Sequence, residues 1–199
     1  MSADKETLAV YAKRAGDYAK RFGSSSVGRH VASFLAELPA GARIVDLGCG
    51  PGHAAAAMQR DGFEVDAIDA SPELAEIART QNQVNVRVGT FEALDAVNYY
   101  DGVFANFSLL HAPKSEMPDH LTRISRALVR DGVLHLGLKR GSGEKRDTIG
   151  RFYAYYELEE LTDLLTKAGF QVIGVTEGQE AGLDGTVAPW IVLLARKND

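Results

Sequence analysis

Apolar positions along this chain change their period near residue 43. Before that point the pattern is helical. The piece from about Val27 to Leu38 sets Val31, Phe34, Leu35 and Leu38 on one face, after a break at Gly23-Ser24-Ser25-Ser26 and ahead of a stop at Pro39-Ala40-Gly41. From Arg43 onward, short apolar runs alternate with amphipathic stretches. Ile44–Leu47, Phe63–Ile68, Asn85–Val88, Gly102–Ala105, Val133–Leu138, Phe170–Val175 and Val187–Leu194 read as strands. His53–Arg60 is an alanine-rich helix whose small side chains suit close packing on a sheet. A second helix has Ser71 as its N-cap, Pro72 at its first position and Leu74, Ile77 and Ala78 on its buried face. Met117, Leu121, Ile124 and Leu128 mark a third, and Leu158, Leu161, Leu165 and Ala168 a fourth that ends at Gly169.

This alternation predicts an α/β fold: a doubly wound, mainly parallel, seven-stranded sheet with helices on both faces. The last two strands have no helix-length segment between them, so they predict a hairpin and one antiparallel strand near the C-terminus. With 199 residues the chain suits one domain, 1–199, in which residues 1–42 form a helical segment and 43–199 the core.

Composition narrows the function classes. The net charge is -5, and basic residues are dense only at Lys139-Arg140 and Lys145-Arg146, which argues against a nucleic-acid partner. Cys49 is the single cysteine, so neither an internal disulfide nor a cysteine-rich zinc cage is available. Neither a signal peptide nor a membrane-length apolar run is read, and the expected compartment is the cytoplasm. No two of the five histidines show ligand spacing with a carboxylate, and no metal is expected.

The chemical signal is Asp46-Leu47-Gly48-Cys49-Gly50-Pro51-Gly52, which follows a strand and opens a helix. Glycines there let the backbone turn sharply and approach a ligand, and the helix start adds unpaired amides, His53 contributing its own. Asp69, 17 residues after Gly52 at the end of the next strand, is placed to accept hydrogen bonds from both hydroxyls of a ribose. Asp46 would repel a pyrophosphate and favours a cationic ligand, such as an ammonium or sulfonium.

Val45 to Gly52 resembles the first motif of the class I S-adenosylmethionine-dependent methyltransferases, and the likeness runs from about Arg43 to the last strand. Asp69-Ala70-Ser71 resembles the ribose-binding segment of that family. Tyr100–Val103 with Asn106-Phe107-Ser108-Leu109-Leu110-His111 resembles its fourth-strand motif, and Ala127–Leu134 its turn into the fifth strand. Ser108–Pro113 and Gly150–Tyr153 look like the small bacterial tellurite-resistance-type branch. The resemblance implies a Rossmann-like core, a lid formed by residues 1–42, and S-adenosylmethionine held by Tyr18, Asp46, Gly48, Cys49, Gly50, Gly52, His53, Asp69, Ala70, Ser71, Asn106 and Phe107. Where many members carry an aspartate for adenine this chain has Thr90, which leaves adenine to Phe91, Glu92 and the backbone around Thr90.

The implied reaction is in-line transfer of a methyl group to a small-molecule acceptor, which requires alignment more than a catalytic dyad. On the substrate side the candidates are His111, just past the fourth strand, and Arg151, in a cluster with Lys139, Arg140, Tyr153 and Tyr156. The stretch Gly141–Gly150 reads as a mobile loop. His30 and His120 read as solvent-facing, and His135 as core. Two other readings stand beside this one: a cofactor-binding regulatory protein without catalysis, and an NAD-dependent oxidoreductase. Neither the acceptor nor the oligomeric state is legible.

Overall fold

The structure, a computed structural model, describes residues 3–21 and 24–198. Helices α1 (Lys5–Arg21) and α2 (Ser24–Leu35) precede β1 (Arg43–Leu47) and α3 (His53–Arg60). They are followed by β2 (Glu64–Asp69), α4 (Pro72–Gln81), β3 (Val86–Val88), β4 (Tyr100–Asn106), α5 (Met117–Ala127) and β5 (Leu128–Arg140). A hairpin of β6 (Glu144–Arg146) and β7 (Phe152–Tyr156) comes next, then α6 (Leu158–Lys167), β8 (Phe170–Ala181) and β9 (Val187–Lys197). Phe22 and the Gly23 of the expected break lie outside the described residues. Ser24–Ser26 already belong to α2.

All seven expected strands are present. Strands β3, β2, β1, β4 and β5 run parallel in that order, and β9 lies antiparallel to β5 with β8 antiparallel beyond it. Within Gly141–Gly150, expected to be a mobile loop, Glu144–Arg146 form β6, which pairs antiparallel with the unexpected β7, so the sheet has nine strands where seven were expected. His135 of β5 pairs with both Phe104 and Leu194, and Lys139 pairs with both Tyr155 and Trp190. Strand β7 therefore takes over the edge of β5 that β4 leaves.

Helices cover both faces. On one, Phe34 of α2 and Met58 of α3 pack against Ile44, Phe104 and Val133. On the other, Leu121 and Ile124 of α5 and Leu161 and Leu165 of α6 pack against Val103, Leu134, Leu136 and Leu193. Ala55 and Ala56 of α3 and Ala75 and Ala78 of α4 form a third, small-residue cluster with Ala67 and Val86. The Ser71 hydroxyl accepts from the Leu74 amide at 3.2 Å, the expected N-cap of α4. Gly169, at φ 85°, ends α6 as read. Among the described residues no helix is long and apolar enough to cross a membrane. In such a parallel sheet ligands bind beyond the carboxyl ends of the strands, here those of β1, β2, β3 and β4.

Candidate functional site

The turn after β1 is built from left-handed backbone. Gly48, Gly50 and Gly52 have φ of 81°, 54° and 80°. The amides of Gly48 and Cys49 both donate to the Ile68 carbonyl, at 2.8 and 3.0 Å, and tie the turn to β2. A Cβ on Gly48 would lie 2.2 Å from the Ser108 Cβ, so the turn and the segment after β4 touch there. The Ser108 hydroxyl locks that contact by donating to the Leu47 carbonyl at 2.6 Å. Gly52 faces away: its missing Cβ would sit 3.0 Å from Ala78, so it lets α3 approach α4.

Two buried carboxylates flank the turn. Asp69 accepts from the Gly50 amide (2.7 Å) and the Ser71 amide (2.8 Å), one on each oxygen, which fixes the plane of the carboxylate. Burial raises its pKa, and these two amides oppose the rise. Asp46 is only 2% exposed, and its Oδ2 has no hydrogen-bond partner among the described residues. Burial and then the charge of Asp69 push it up to about 8, against the pull of the Ala55 amide. A buried carboxylate oxygen without a partner is costly, and a cationic ligand group would offset that cost.

Two chambers meet at the turn and share Tyr11, Tyr18, Gly48, Gly50 and Phe107. The first, about 860 Å³ with its open mouth, is lined by Asp69, Ala70, Ser71, Thr90, Phe91, Glu92 and His111. The second, about 1030 Å³ with its mouth, is lined by Asp46, Cys49, His53, Asn106, Lys139, Arg151, Tyr153 and Trp190. Of the residues expected around the cofactor, only Gly52 lines neither chamber. Phe107, on the dividing wall, has φ 55°, a strained value for an aromatic residue, held by its amide donating to the Gly137 carbonyl at 2.9 Å.

Helix α1 closes the chambers through a buried polar chain. The Phe152 carbonyl accepts from His111 Nδ1 at 2.7 Å, so Nδ1 carries the proton and Nε2 accepts from the Tyr11 hydroxyl at 2.8 Å. Burial drives the His111 pKa down to about 4, which keeps the ring neutral at pH 7. Arg151 Nη1 donates to the same hydroxyl at 3.1 Å, and its guanidinium is paired with Asp147 at 2.8 Å. The Thr7 hydroxyl accepts from the Phe152 amide, and Asp4 takes both terminal nitrogens of Arg146. The first helix is thus fastened to the β6–β7 hairpin.

The geometry revises several expectations. His111 lines the first chamber and has both ring nitrogens engaged, by the Phe152 carbonyl and the Tyr11 hydroxyl. Arg151 does reach the second chamber, but its charge is held by Asp147. Lys139 and Tyr153 join it there, whereas Arg140 pairs with Glu157 and Glu177 at the surface and Tyr156 is fully buried in the core. His30 is not solvent-facing: it lies in the second chamber, 5.3 Å from the Trp190 ring and 5.7 Å from His135. His120 is buried in the first, its ring 5.3 Å from that of Phe91. His135 is core, stacked on Phe104 at 4.2 Å, with Nε2 donating to Asn106 Oδ1. His120 was legible in principle, since it follows Met117 by three residues and so falls on the apolar stripe of α5. Trp190 gave no such signal, because its role depends on the length of the β8–β9 hairpin.

Residues 44–132 match the model of a methyltransferase domain. The ubiquinone biosynthesis O-methyltransferase of Xanthomonas axonopodis pv. citri is 38% identical over 101 residues, 47% of this chain and 41% of that protein. The chain therefore spans less than half of the length of this curated relative. The crystal structure of Burkholderia thailandensis 1,6-didemethyltoxoflavin-N1-methyltransferase, with 1,6-didemethyltoxoflavin and S-adenosylhomocysteine bound, superposes with a TM-score of 0.79. That match has 24% identity and covers 100% of this chain and 92% of the other. An S-adenosylmethionine-dependent methyltransferase of Methanosarcina mazei gives a TM-score of 0.74 at 19% identity, over 82% of this chain and 96% of that one.

Proposed function

From the methyltransferase domain at residues 44–132 and the class I S-adenosylmethionine-dependent methyltransferase fold around it, we propose that this chain binds S-adenosylmethionine and methylates a small molecule. The observation that carries the reading is the buried, partnerless Oδ2 of Asp46 beside the glycine turn. It suits a cationic ligand, beside which the carboxyl group ionises, and disfavours the pyrophosphate of NAD, beside which it would have to stay protonated. When bound, S-adenosylmethionine supplies a methyl carbon: the acceptor's lone pair forms the new bond as the carbon–sulfur bond breaks, leaving a neutral thioether.

The residues of the chain divide the work. Asp69, its carboxylate plane fixed by Gly50 and Ser71, takes the ribose hydroxyls. Phe91 and His120 offer ring surfaces to the adenine, with Thr90 and Glu92 beside them. Asp46 takes the ammonium across the junction, and the acceptor approaches through the second chamber. Residues 1–42 act as a lid, with Tyr11 and Tyr18 over the junction, where excluding water and fixing the line of attack contribute most to the rate. A small acceptor is supported by the size of the second chamber and by the small-molecule product named for the Xanthomonas relative.

The test is transfer of tritium from S-adenosyl-[methyl-³H]methionine to the low-molecular-weight fraction of a cell extract. Label in small molecules supports the proposal. Label only in macromolecules contradicts the acceptor class, and tight binding without transfer points to a regulatory protein.

A further inference from the structure

The second chamber has a chemical character of its own. Three aromatic side chains line it as a cluster in mutual edge-to-face contact: the His30 ring lies 5.3 Å from Trp190 and 6.3 Å from Phe107, and Phe107 lies 6.2 Å from Trp190, with interplanar angles of 85°, 75° and 77°. Facing them is Tyr153, which carries two cations against its ring, Lys139 Nζ at 4.3 Å and the Arg151 guanidinium at 5.1 Å from its centroid. The two cations differ in how they are balanced. Arg151 is 2% exposed and has Asp147 at 2.8 Å. Lys139 is half-buried, and among the described residues no carboxylate lies within ion-pair distance of its ammonium. Asp184 stands near Lys139 across Gly182 without pairing with it, Asp147 is taken by Arg151, Glu180 is exposed at the mouth, and Asp46 lies on the side of the glycine turn.

An ammonium drawn partly out of water beside a second cation is unfavourable unless an anion joins it. Burial and the charge of Arg151 lower the pKa of Lys139, and the carboxylates of Asp184 and Asp147 offset them only in part, which is the strain such an anion would relieve. The ring cluster favours an aromatic partner, whose own ring can extend the edge-to-face packing of His30, Phe107 and Trp190.

We propose that the second chamber holds an aromatic acid as methyl acceptor, with Lys139 bonding its carboxylate, its ring against the edge-to-face cluster of His30, Phe107 and Trp190, and a hydroxyl or amine at its other end whose lone pair bonds the methyl carbon as its proton passes to solvent. This rests on the reading of the first chamber as the S-adenosylmethionine site. The anion belongs at the Lys139 end of the chamber, because Asp46 would repel it at the other.

Trp190 is the only tryptophan of the chain, so its emission reports occupancy of this chamber. The experiment titrates benzoate, 4-hydroxybenzoate and 2-naphthoate, and the corresponding neutral carboxamides, into protein saturated with S-adenosylhomocysteine. The expected result is that at least one acid changes Trp190 emission and binds about tenfold or more tighter than its amide. That preference should collapse to about unity in Lys139→Met. Equal affinity for acid and amide, a preference that survives Lys139→Met, or no emission change with any acid each overturns the proposal. Calorimetric binding of S-adenosylhomocysteine, measured on the same samples, reports the first chamber separately. Its failure would remove the underlying reading, whereas its success beside a silent Trp190 would remove only the aromatic acid.

Discussion

The Tyr11 hydroxyl donates to His111 Nε2 at 2.8 Å across 100 residues of sequence. The same oxygen accepts from Arg151, so one side chain of α1 is held by the segment after β4 and by the start of β7. Tyr11→Phe keeps the ring and removes both bonds, leaving a buried imidazole nitrogen unsatisfied at a cost of about 1–3 kcal/mol. The variant should melt several degrees lower, and its first helix should be cut faster in limited proteolysis. Added S-adenosylhomocysteine should restore part of the protection. Identical cleavage rates for variant and parent would contradict a fastening role.

Asp46 links ligand binding to pH. Its pKa is raised from 3.8 to about 8 in the free protein, so its favourable contribution is complete below 3.8 and is lost as pH rises through about 8. Each unit of that shift corresponds to about 1.4 kcal/mol, discounted by whatever relaxation burial permits. Asp46→Asn should therefore be more stable than the parent above pH 8, by about 2 kcal/mol or more in urea titrations, with the gap closing toward pH 4. The same variant should bind S-adenosylmethionine more weakly. Parallel pH profiles for the two proteins would refute the assignment.

Asp69 carries the ribose contact in this account. Asp69→Ala should weaken S-adenosylhomocysteine binding by about 1.5–3 kcal/mol, the range for hydrogen bonds to a charged group. Part of any loss of stability would come from the Gly50 and Ser71 amides it leaves open, so the thermal melt is measured alongside. Undiminished affinity would end the ribose role.

Gly48 and Gly50 share a left-handed backbone but not their surroundings. A Cβ on Gly50 would meet only the Tyr18 ring, at 3.5 Å, whereas on Gly48 it would overlap the Ser108 Cβ at 2.2 Å. Both alanine variants carry the cost of a left-handed residue, about 1–2 kcal/mol. Gly48→Ala should lose clearly more in a chemical melt, because the turn and the segment after β4 must also separate. Equal losses would mean that this contact relaxes freely.

Sequence periodicity sufficed for seven of the strands but missed β7, although its Tyr153, Ala154 and Tyr156 are buried. It also missed β6, whose Glu144, Lys145 and Arg146 are all exposed and show no alternation; pairing with β7 and long-range contacts such as Arg146 with Asp4 hold it. The glycine turn, Asp46 and Asp69 were legible because their chemistry is local: a strand, a tight turn and an acid at each strand end. The second chamber was legible only in part: Lys139, Arg151 and Tyr153 were read as one cluster, whereas His30 and Trp190 come from separate elements and meet them only after the sheet closes. His111 shows what position along the chain leaves out. Its position beside the ligand edge suggested an acceptor contact, but Tyr11 and Phe152 occupy both of its nitrogens.

The most direct test of the central claim is isothermal calorimetry with S-adenosylhomocysteine, S-adenosylmethionine and NAD on the unmodified chain. Micromolar binding of the first two without NAD is the predicted result. Binding of NAD alone, or of none of the three, would contradict the assignment of the glycine turn, Asp46 and Asp69 to an S-adenosylmethionine site.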